Sequence, residues 1–463
     1  RDPCPVRSRP ARSSEFPTGY ESSVSMNDRP APNPGPTMAP SAASSPAPVS
    51  GAERIRSLDV LRGVAVLGIL TMNIQSFAMP GVAYSNPTAW GSLEGLNGWV
   101  WTLSHLFGDL KFMATFSILF GAGMVLMADR QVTRGGSPWR LHLKRMFWLL
   151  NFGLIHAHLI WYGDILVLYA VTGTLVFGMR NRRPRTLILS AVLLWAVGTA
   201  LLASAGLSLS QWPEADRIEV AMEFDPPAEV KAAEVAAYQG GFAEQFAERS
   251  PVALGFETEL VVWFGLWRVG GLMLLGMALF KLGVLSAARS RAFYLRLLAT
   301  GWLVGLPVVG LGILWNRSTE WAAPDFFFLG SLPNYWGSLG VALGWIAGVM
   351  LLCPSQGQSL GPSQGPSRAR SGVTTRLSAV GRMAFTNYIA QSLICTWIFY
   401  GHGLGLFGQV DRVGQFGIVL LVWALQLWWS PLWLARFRFG PLEWMWRSLV
   451  YRRRQPLRRR AAG

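Results

Sequence analysis

The sequence is poor in charged residues and in cysteine, and it carries none of the common nucleotide-binding fingerprints. Charged side chains make up 14% of its 463 residues, whereas a soluble domain typically carries about 25%. Its cysteines, Cys4, Cys353 and Cys395, stand far apart without metal-ligand spacing, so neither a disulfide framework nor a zinc site is indicated. Neither a P-loop nor a dinucleotide fingerprint is present. These absences disfavour a soluble enzyme, a disulfide-rich secreted domain and a metal centre.

Hydrophobic residues, by contrast, make up 51% of the chain and include 22 Trp and 25 Phe. Apolar runs of about 20 residues recur, each long enough to cross roughly 30 Å of hydrocarbon, and they lack the alternation of an outer-membrane barrel. We therefore predict an all-α polytopic membrane protein in the lipid bilayer with about ten transmembrane helices. The predicted spans are 57–79, 99–128, 146–162, 164–180, 186–208, 257–280, 293–314, 335–353, 379–400 and 413–434.

The net charge of +16 is distributed as short basic clusters between alternate spans. The other loops hold almost no Lys or Arg: 80–98 has none and 401–412 has Arg412 alone. Basic loops face the cytoplasm in membrane proteins, so both termini are predicted to be cytoplasmic. The clustering disfavours a nucleic-acid partner, and a bacterial inner (plasma) membrane is the simplest location.

The segments between and beyond the spans differ in composition. A loop rich in acidic residues, 209–256, is predicted outside the cytoplasm, with one or two short amphipathic helices in its second half; it is either a lid or a solvated connector. The predicted organisation is a disordered tail rich in Pro, Ala, Ser and Arg (1–52), a membrane domain of eight spans (53–353), a flexible cytoplasmic linker (354–378), a C-terminal membrane pair (379–450) and a basic cytoplasmic tail (451–463).

Ionisable side chains inside a span are costly, which makes each of them a candidate for function. The stretch "LIHAHLIWYGDILVLYA" holds His156, His158 and Asp164. The two histidines are roughly 200° apart on a helical wheel, so at most one faces a given cavity. His156 lies deeper and is the preferred proton acceptor. Asp164 either orients it or simply caps the next helix.

A second group lies in "SHLFGDLKFMATFSILFGAG". His105 and Asp109 share a helical face and Lys111 follows them; alternatively the helix starts later and leaves His105 and Asp109 among the lipid headgroups. Arg268, in the sixth predicted span, needs an anionic partner, either Asp109 or a substrate group. We expect Asp109, Lys111 and Arg268 to share the cavity of His156. The glycines of FGAG are typical of close helix packing.

Six further polar residues complete the candidates. At the inner end of the first span, Asp59 and Arg62 can form an ion pair that anchors the helix or binds a donor, and Arg145 adds a cation to that face. Asn73 lies in the outer half of the same span. Asn387 and Gln391 share a face of a later span. An amide in a span often joins helices, but together these groups indicate a lined cavity, with Asn73, Asn387 and Gln391 as substrate-binding candidates.

Several stretches resemble one family: "IRSLDVLRGVAVLGILTMNI", "KFMATFSILFGAG", "GRMAFTNYIAQSLICTWIFYGHGLGLFG" and "SPLWLARFRFGPLEWMWRSLVY". They are similar to the YeiB-like bacterial membrane proteins, domain of unknown function 418, over about 54–452. That family has no settled activity. It is distantly similar to transmembrane acyltransferases, which include heparan-α-glucosaminide N-acetyltransferase and enzymes that modify envelope glycans. The resemblance implies a catalytic histidine in or just before the second span, where His105 stands.

An acyltransferase is the first functional hypothesis. Acyl-CoA, as a co-substrate with no bound cofactor, would dock at the basic inner face on Arg62 and Arg145. His156 or His105 would act as general base or carry the acyl group, oriented by Asp164 or Asp109. Lys111 or Arg268 would stabilise the oxyanion. The acceptor, a small molecule or an envelope glycan, would come from the outer side.

Two other hypotheses remain open. Ionisable groups at membrane depth also suit a proton-coupled transporter or permease, although no internal repeat is evident. A membrane assembly protein would use the same groups as contacts between helices. The sequence does not specify the oligomeric state or the acceptor.

Overall fold

The computed structural model describes residues 55–209, 211–353 and 368–459, and the regular elements among them are helices. The helices are α1 (Arg56–Ala78), α2 (Val82–Ser85), α3 (Gly95–Phe107), α4 (Lys111–Thr133), α5 (Pro138–Leu159), α6 (Leu166–Val176), α7 (Pro184–Leu209), α8 (Glu214–Phe224), α9 (Ala228–Gln239), α10 (Phe242–Gly255), α11 (Leu266–Lys281), α12 (Arg291–Ser318), α13 (Ala323–Asp325), α14 (Leu332–Leu352), α15 (Arg368–Arg382), α16 (Ala384–Phe399), α17 (Arg412–Arg436) and α18 (Pro441–Tyr451). Shorter 3₁₀ and π-helical segments join some of them.

The predicted all-helical membrane class is confirmed. Within the described ranges, 7 helical runs are long and apolar enough to cross a membrane: Arg56–Ala78, Gly95–Thr133, Pro184–Leu209, Phe242–Lys281, Arg291–Ser318, Ala323–Leu352 and Arg412–Arg436. The other three predicted spans, 146–162, 164–180 and 379–400, fall on α5, α6 and α16. Of these, α6 has 11 residues and α16 has 16, while the first half of α5 carries several basic side chains.

The predicted second span, 99–128, is broken into α3 and α4. Leu110, between them, has a φ of 59°, a left-handed conformation that is uncommon for a non-glycine residue. The preceding Gly108 packs against the side chain of Thr71 in α1 with no room for a Cβ. The hydropathy of this segment predicts a continuous helix because the residues on both sides of the break are apolar. The break places Asp109 between two helix ends.

Helix α1 is buried among later helices, and close contacts with α15 hold it there. Gly381 of α15 lies against the Asp59 carbonyl, and Gly63 of α1 lies against the Leu377 carbonyl, so that a Cβ at either glycine would collide with backbone. The predicted linker 354–378 is therefore wrong over its last part, since α15 begins at Arg368 and packs on α1. The rest of that linker, the tail 1–52 and the end of the basic tail lie outside the described residues.

The acidic segment 209–256 folds into α8, α9 and α10, called here the acidic helices. Its second half contains the two helices α9 and α10, in line with the prediction, and α8 precedes them. Polar contacts attach α9 to other loops. The carboxylate of Glu234 accepts a hydrogen bond from the Gly81 amide at 2.9 Å, and Lys231 donates to the Ala89 carbonyl at 3.0 Å. Gln239 donates to the Phe407 carbonyl at 2.8 Å.

Candidate functional site

His156 and Asp164 meet across the tight turn between α5 and α6. His156 lies in the last turn of α5, and Asp164 lies two residues before the start of α6. The Oδ2 atom of Asp164 accepts the Val167 amide at 2.8 Å, which caps α6. Its Oδ1 atom lies 2.7 Å from Nδ1 of His156. One carboxylate therefore both begins a helix and holds the imidazole.

Ser392, on α16, completes this group from the other side of the ring. Its Oγ lies 2.9 Å from Nε2 of His156. The side chains of His156 and Asp164 are 1% and 2% exposed, and Ser392 is 1% exposed. With a proton on Nδ1 donated to Asp164, Nε2 accepts the serine proton, which is the order of groups that activates a serine hydroxyl. We call Asp164, His156 and Ser392 the His156 group.

His158 points elsewhere, as the helical wheel predicts. Its Nδ1 lies 2.9 Å from Ser250 Oγ and its Nε2 lies 3.2 Å from a Glu257 carboxylate oxygen. Arg249 of α10 donates to the His158 carbonyl at 2.9 Å and to the Ile160 carbonyl at 3.2 Å. These contacts satisfy the C-terminal carbonyls of α5 and attach α10 to the end of the helix that carries His156.

Asp109 is the centre of a second group, which we call the Asp109 group: Tyr84, His105, Asp109, Lys111 and Asn334. Asp109 accepts hydrogen bonds from the Tyr84 hydroxyl and the Asn334 amide, both at 2.7 Å, and lies 3.3 Å from Nδ1 of His105. Lys111 donates to Asn334 Oδ1 at 2.6 Å and to the His105 carbonyl at 2.5 Å. The fully buried Lys111 amine is thus linked to the Asp109 carboxylate through the Asn334 amide and does not contact it directly.

Arg268 belongs to neither group. Its guanidinium donates to the Tyr335 carbonyl and to Ser338 Oγ, each at 2.6 Å, and lies over the Tyr335 ring. In the described part of the chain Arg268 forms no hydrogen bond or ion pair with Asp109, one of the two partners considered from the sequence, although the charge of Asp109 acts on it electrostatically. The contacts do not support the expected sharing of one cavity between His156 and Asp109, Lys111 or Arg268. In the described part of the chain no hydrogen bond joins these three residues to His156, and none of them lines the nearby cavity.

A cavity of about 270 Å³ lies beside the His156 group. Arg62, Arg145, Arg382 and Arg447 line it together with Glu443, and we call it the arginine cavity. Tyr388 also lines it, and its ring centroid lies 5.2 Å from that of His156. One aromatic ring therefore stands between the cavity and the buried imidazole.

Glu443 fixes the start of the helix that carries Tyr388 and Ser392. Its carboxylate accepts the Phe385 and Thr386 amides at 2.8 and 3.1 Å and the Thr386 hydroxyl at 2.6 Å. A carboxylate at a helix N-terminus satisfies unpaired amides and favours the helix dipole. Burial raises the pKa of Glu443, and these hydrogen bonds oppose that rise.

The predicted donor-binding residues lie at this cavity. Arg62 pairs with Asp59 at 2.9 Å, so both readings of that pair, an anchor and a ligand contact, remain compatible with the geometry. Arg145 lies over the Trp446 ring, 4.4 Å from its centroid, and the Trp446 indole donates to the Arg145 carbonyl at 3.3 Å. Two distant segments, α5 and α18, thus form one basic wall.

Comparison with known proteins identifies the family. The uncharacterized protein YeiB of Escherichia coli (strain K12) is 33% identical over 411 residues, which cover 87% of this chain and 98% of YeiB. The chain belongs to the DUF418 family. The family model, described as a protein of unknown function, matches residues 279–453 of this DUF418 chain. The uncharacterized protein YxaH of Bacillus subtilis (strain 168) is 32% identical over 428 residues, 88% of this chain and 96% of YxaH. The resemblance seen in the sequence is confirmed.

The remaining candidates of this DUF418 protein join helices. The Asn387 amide donates to the Val380 carbonyl and to Ser430 Oγ, both at 3.1 Å. Gln391 donates to the Val66 carbonyl at 2.9 Å and to Gln426 at 3.0 Å. Both amides are used in packing α16 against its neighbours. Asn73 is half-buried and belongs to neither of the two polar groups.

The residues that sequence reasoning missed are mostly uncharged. Ser392, Tyr388, Tyr84 and Asn334 contact the predicted ionisable groups, but a hydroxyl or an amide in a span is common and carries little sequence signal. Ser392 and Tyr388 are four residues apart on α16, which places them on one face. This pair of hydroxyl residues on one face of an apolar span is the sequence pattern that would have indicated Ser392 as a partner for His156.

Proposed function

We propose that this DUF418 protein is a membrane acyltransferase and that Ser392, His156 and Asp164 are its catalytic residues. The observation that carries the proposal is the buried chain of hydrogen bonds from Asp164 through His156 to Ser392, beside the arginine cavity. This order of carboxylate, imidazole and hydroxyl activates a serine for attack on an acyl carbon.

The reaction has two balanced steps. In the first, His156 Nε2 takes the proton of Ser392, the serine Oγ bonds to the thioester carbon of acyl-CoA, and the carbon–sulfur bond breaks as the CoA sulfur takes the proton from His156. In the second, His156 removes a proton from an acceptor hydroxyl or amine, the acceptor attacks the acyl-serine, and Ser392 regains its proton. Asp164 orients the ring and stabilises the imidazolium in both steps.

The donor enters through the arginine cavity. Its phosphates contact the arginine rim, because guanidinium groups bind phosphate through paired hydrogen bonds. By the positive-inside rule, the basic rim faces the cytoplasm. This orientation fits a chain of ten spans in a bacterial inner membrane, with α5, α6 and α16 among the spans. Tyr388 must rotate before the thioester reaches Ser392, since its ring separates the two.

The acceptor approaches from the opposite side, where the acidic helices lie. It is a small molecule or an envelope glycan with a free hydroxyl or amine. The contacts of Arg249 with the end of α5 link those helices to the helix that carries His156, so acceptor binding is coupled to the catalytic histidine.

The test is hydrolysis of acyl-CoA by the purified protein. His156→Ala and Ser392→Ala are each expected to lower turnover by about 10²–10⁴-fold. His158→Ala is the matched control, because His158 lies two residues away on the other face of α5, and it is expected to keep near-normal turnover. In addition, mass spectrometry should find an acyl group on Ser392 after a brief reaction. Wild-type turnover in either of the first two variants would refute the proposal.

A second candidate function, proton-coupled transport, is favoured by the break between α3 and α4. Transporters place substrate and ion sites at discontinuous helices near mid-membrane, and Asp109 lies at this break with His105 and Lys111. If transport is the function, proton-dependent flux into liposomes occurs without acyl-CoA turnover and is abolished by Asp109→Asn. If the protein is an acyltransferase, Ser392→Ala abolishes turnover and no such flux is seen.

A further inference from the structure

The arginine cavity has two chemically different parts. Four arginines and Glu443 make it basic at one side. Most of the rest of its wall is apolar and includes Val66, Ile69, Phe116, Leu119, Met124 and Met127, although His142 also lines it. An anion alone would contact the arginines and leave the apolar wall uncovered. A ligand with an anionic head and a hydrocarbon chain would contact both parts.

The apolar part has usable space. Gly123 lines the cavity, and a Cβ built on it meets no other atom within 4 Å. A helical glycine that faces open space in an otherwise close-packed bundle leaves a volume that a ligand can fill. The cavity volume of about 270 Å³ is near the lower end of small-molecule sites, which span about 300–1,000 Å³. This space exceeds what an acetyl group needs.

We infer that the arginine cavity binds the hydrocarbon chain of a medium-length acyl group, octanoyl or decanoyl, whose phosphate-bearing head is held by the arginine rim. The inference rests on the proposed acyl transfer and specifies the donor class as medium-chain acyl-CoA rather than acetyl-CoA. Each additional methylene buried in the cavity raises affinity by up to about fourfold. A much longer chain outgrows the space.

Binding to the full-length protein in nanodiscs of neutral lipid tests the inference. Affinity is measured for CoA, acetyl-CoA, octanoyl-CoA and palmitoyl-CoA. Octanoyl-CoA is expected to bind at least 100-fold more tightly than acetyl-CoA, at roughly fourfold for each buried methylene less the cost of ordering the chain. Palmitoyl-CoA should gain nothing further. An anionic phospholipid added to the nanodisc tests a membrane lipid as the alternative occupant of the cavity. If the phospholipid displaces octanoyl-CoA, and the affinities of the acyl-CoA ligands do not depend on chain length, the occupant is a lipid and the inference fails.

Gly123→Leu tests the location of the chain. Its side chain enters the cavity, and we expect octanoyl-CoA affinity to fall at least tenfold while CoA affinity is unchanged. Gly348→Leu is the matched control, since Gly348 of α14 also faces open space but does not line the cavity; its affinities should match those of the wild type. Gly123→Ala, a smaller change, provides an intermediate effect if the leucine variant does not fold.

The outcomes separate the inference from the proposed function. Equal affinities for CoA, acetyl-CoA and octanoyl-CoA, with turnover that still depends on His156, would overturn the donor class and leave acyl transfer standing. Tight octanoyl-CoA binding that is sensitive to Gly123→Leu, without any turnover, would support the cavity ligand and refute the catalytic proposal.

Discussion

Asp164 shows how one side chain can serve structure and chemistry together. One carboxylate oxygen accepts the Val167 amide and the other contacts His156. The sequence presented capping and orienting as alternatives for this residue. The structure contains both contacts, because a carboxylate has two oxygens that can point in different directions.

Asp164→Asn is expected to separate these roles. The amide oxygen can still cap α6, so stability should fall by less than about 1 kcal/mol. The lost charge and the altered tautomer of His156 should lower acyl-CoA turnover by about 10³–10⁴-fold. Turnover and thermal unfolding of the purified variant are the measurements.

Asp411→Asn is the matched control for this substitution. Asp411 caps α17 through a hydrogen bond from the Gly414 amide at 2.9 Å, and it neither contacts the His156 group nor lines the arginine cavity. Its variant should retain wild-type turnover. If the two variants lose turnover equally, a general effect of replacing a helix-capping aspartate explains the loss, and orientation of His156 by Asp164 does not.

The His156 group was only partly accessible from the sequence. His156 and Asp164 stand out because ionisable residues are rare in apolar segments, and their proximity follows from a short turn. Ser392 is 236 residues from His156 in the chain. Burying a serine side chain costs little free energy, so a serine in an apolar segment does not stand out in the sequence. The separation of the Asp109 group from His156 depends on how the helices are rotated about their axes, and hydropathy does not report that rotation.

At the scale of elements, α4 contains two glycines with opposite environments. Gly121 lies against the Met273 backbone of α11, where a Cβ would collide, whereas Gly123 faces the arginine cavity. The FGAG pattern predicts close packing for both glycines. The structure confirms it for Gly121 and shows open space at Gly123.

Gly121→Ala should therefore destabilise the protein by about 1–3 kcal/mol, because overpacking forces α4 and α11 apart. Gly123→Ala should be neutral or stabilise it by up to about 1 kcal/mol, since alanine is a better helix former than glycine. Thermal unfolding in the same nanodiscs compares the two variants. Equal destabilisation by both would contradict the close α4–α11 contact.

Helix α9 is attached through an acidic residue with an altered titration. Burial, together with the neighbouring Glu248, raises the pKa of Glu234 from 4.5 to about 7, against the hydrogen bond from the Gly81 amide. The docked helix therefore binds more protons than the undocked one between these two values. Docking is strongest below about pH 4.5 and weakens as the pH rises towards about 7.

We expect hydrogen exchange in α9, corrected for its intrinsic rate, to increase between about pH 5 and about pH 8. Glu234→Gln keeps an oxygen for the Gly81 amide but cannot ionise, so its α9 exchange should be independent of pH. An identical pH dependence in the variant and the wild type would show that Glu234 does not control the docking of this helix.

At the scale of the whole molecule, the number of helices that cross the bilayer decides the side on which each terminus lies. Ten spans place both termini in the cytoplasm, whereas seven would place them on opposite sides. Alternate basic loops agree with ten. A chain that passes through the bilayer on α5, α6 and α16 needs the short helices α6 and α16 to be covered by their neighbours. Helix α16 carries several buried polar residues that contact adjacent helices.

This topology can be tested with reporter fusions and with labelling of single cysteines in intact cells, after the native cysteines have been replaced. Fluorescent reporters at both termini should be active in the cytoplasm. Ala232→Cys, in α9, should react with a membrane-impermeant maleimide, whereas Gly372→Cys, in α15, should react only after permeabilisation. A C-terminal reporter on the outer side would rule out the ten-span arrangement.

The sequence by itself determined the class of this protein, the approximate positions of most helices and the ionisable residues at membrane depth. These follow from local composition, because burying an apolar run or a charge in lipid has a large free-energy consequence wherever the run lies. The tertiary structure decided which polar groups meet. Three features depend on helix rotation and packing: the contact of His156 with Ser392, the break at Leu110, and the arginine cavity between α1, α4, α5, α16 and α18. Rotation and packing are determined jointly by residues that are far apart in the chain.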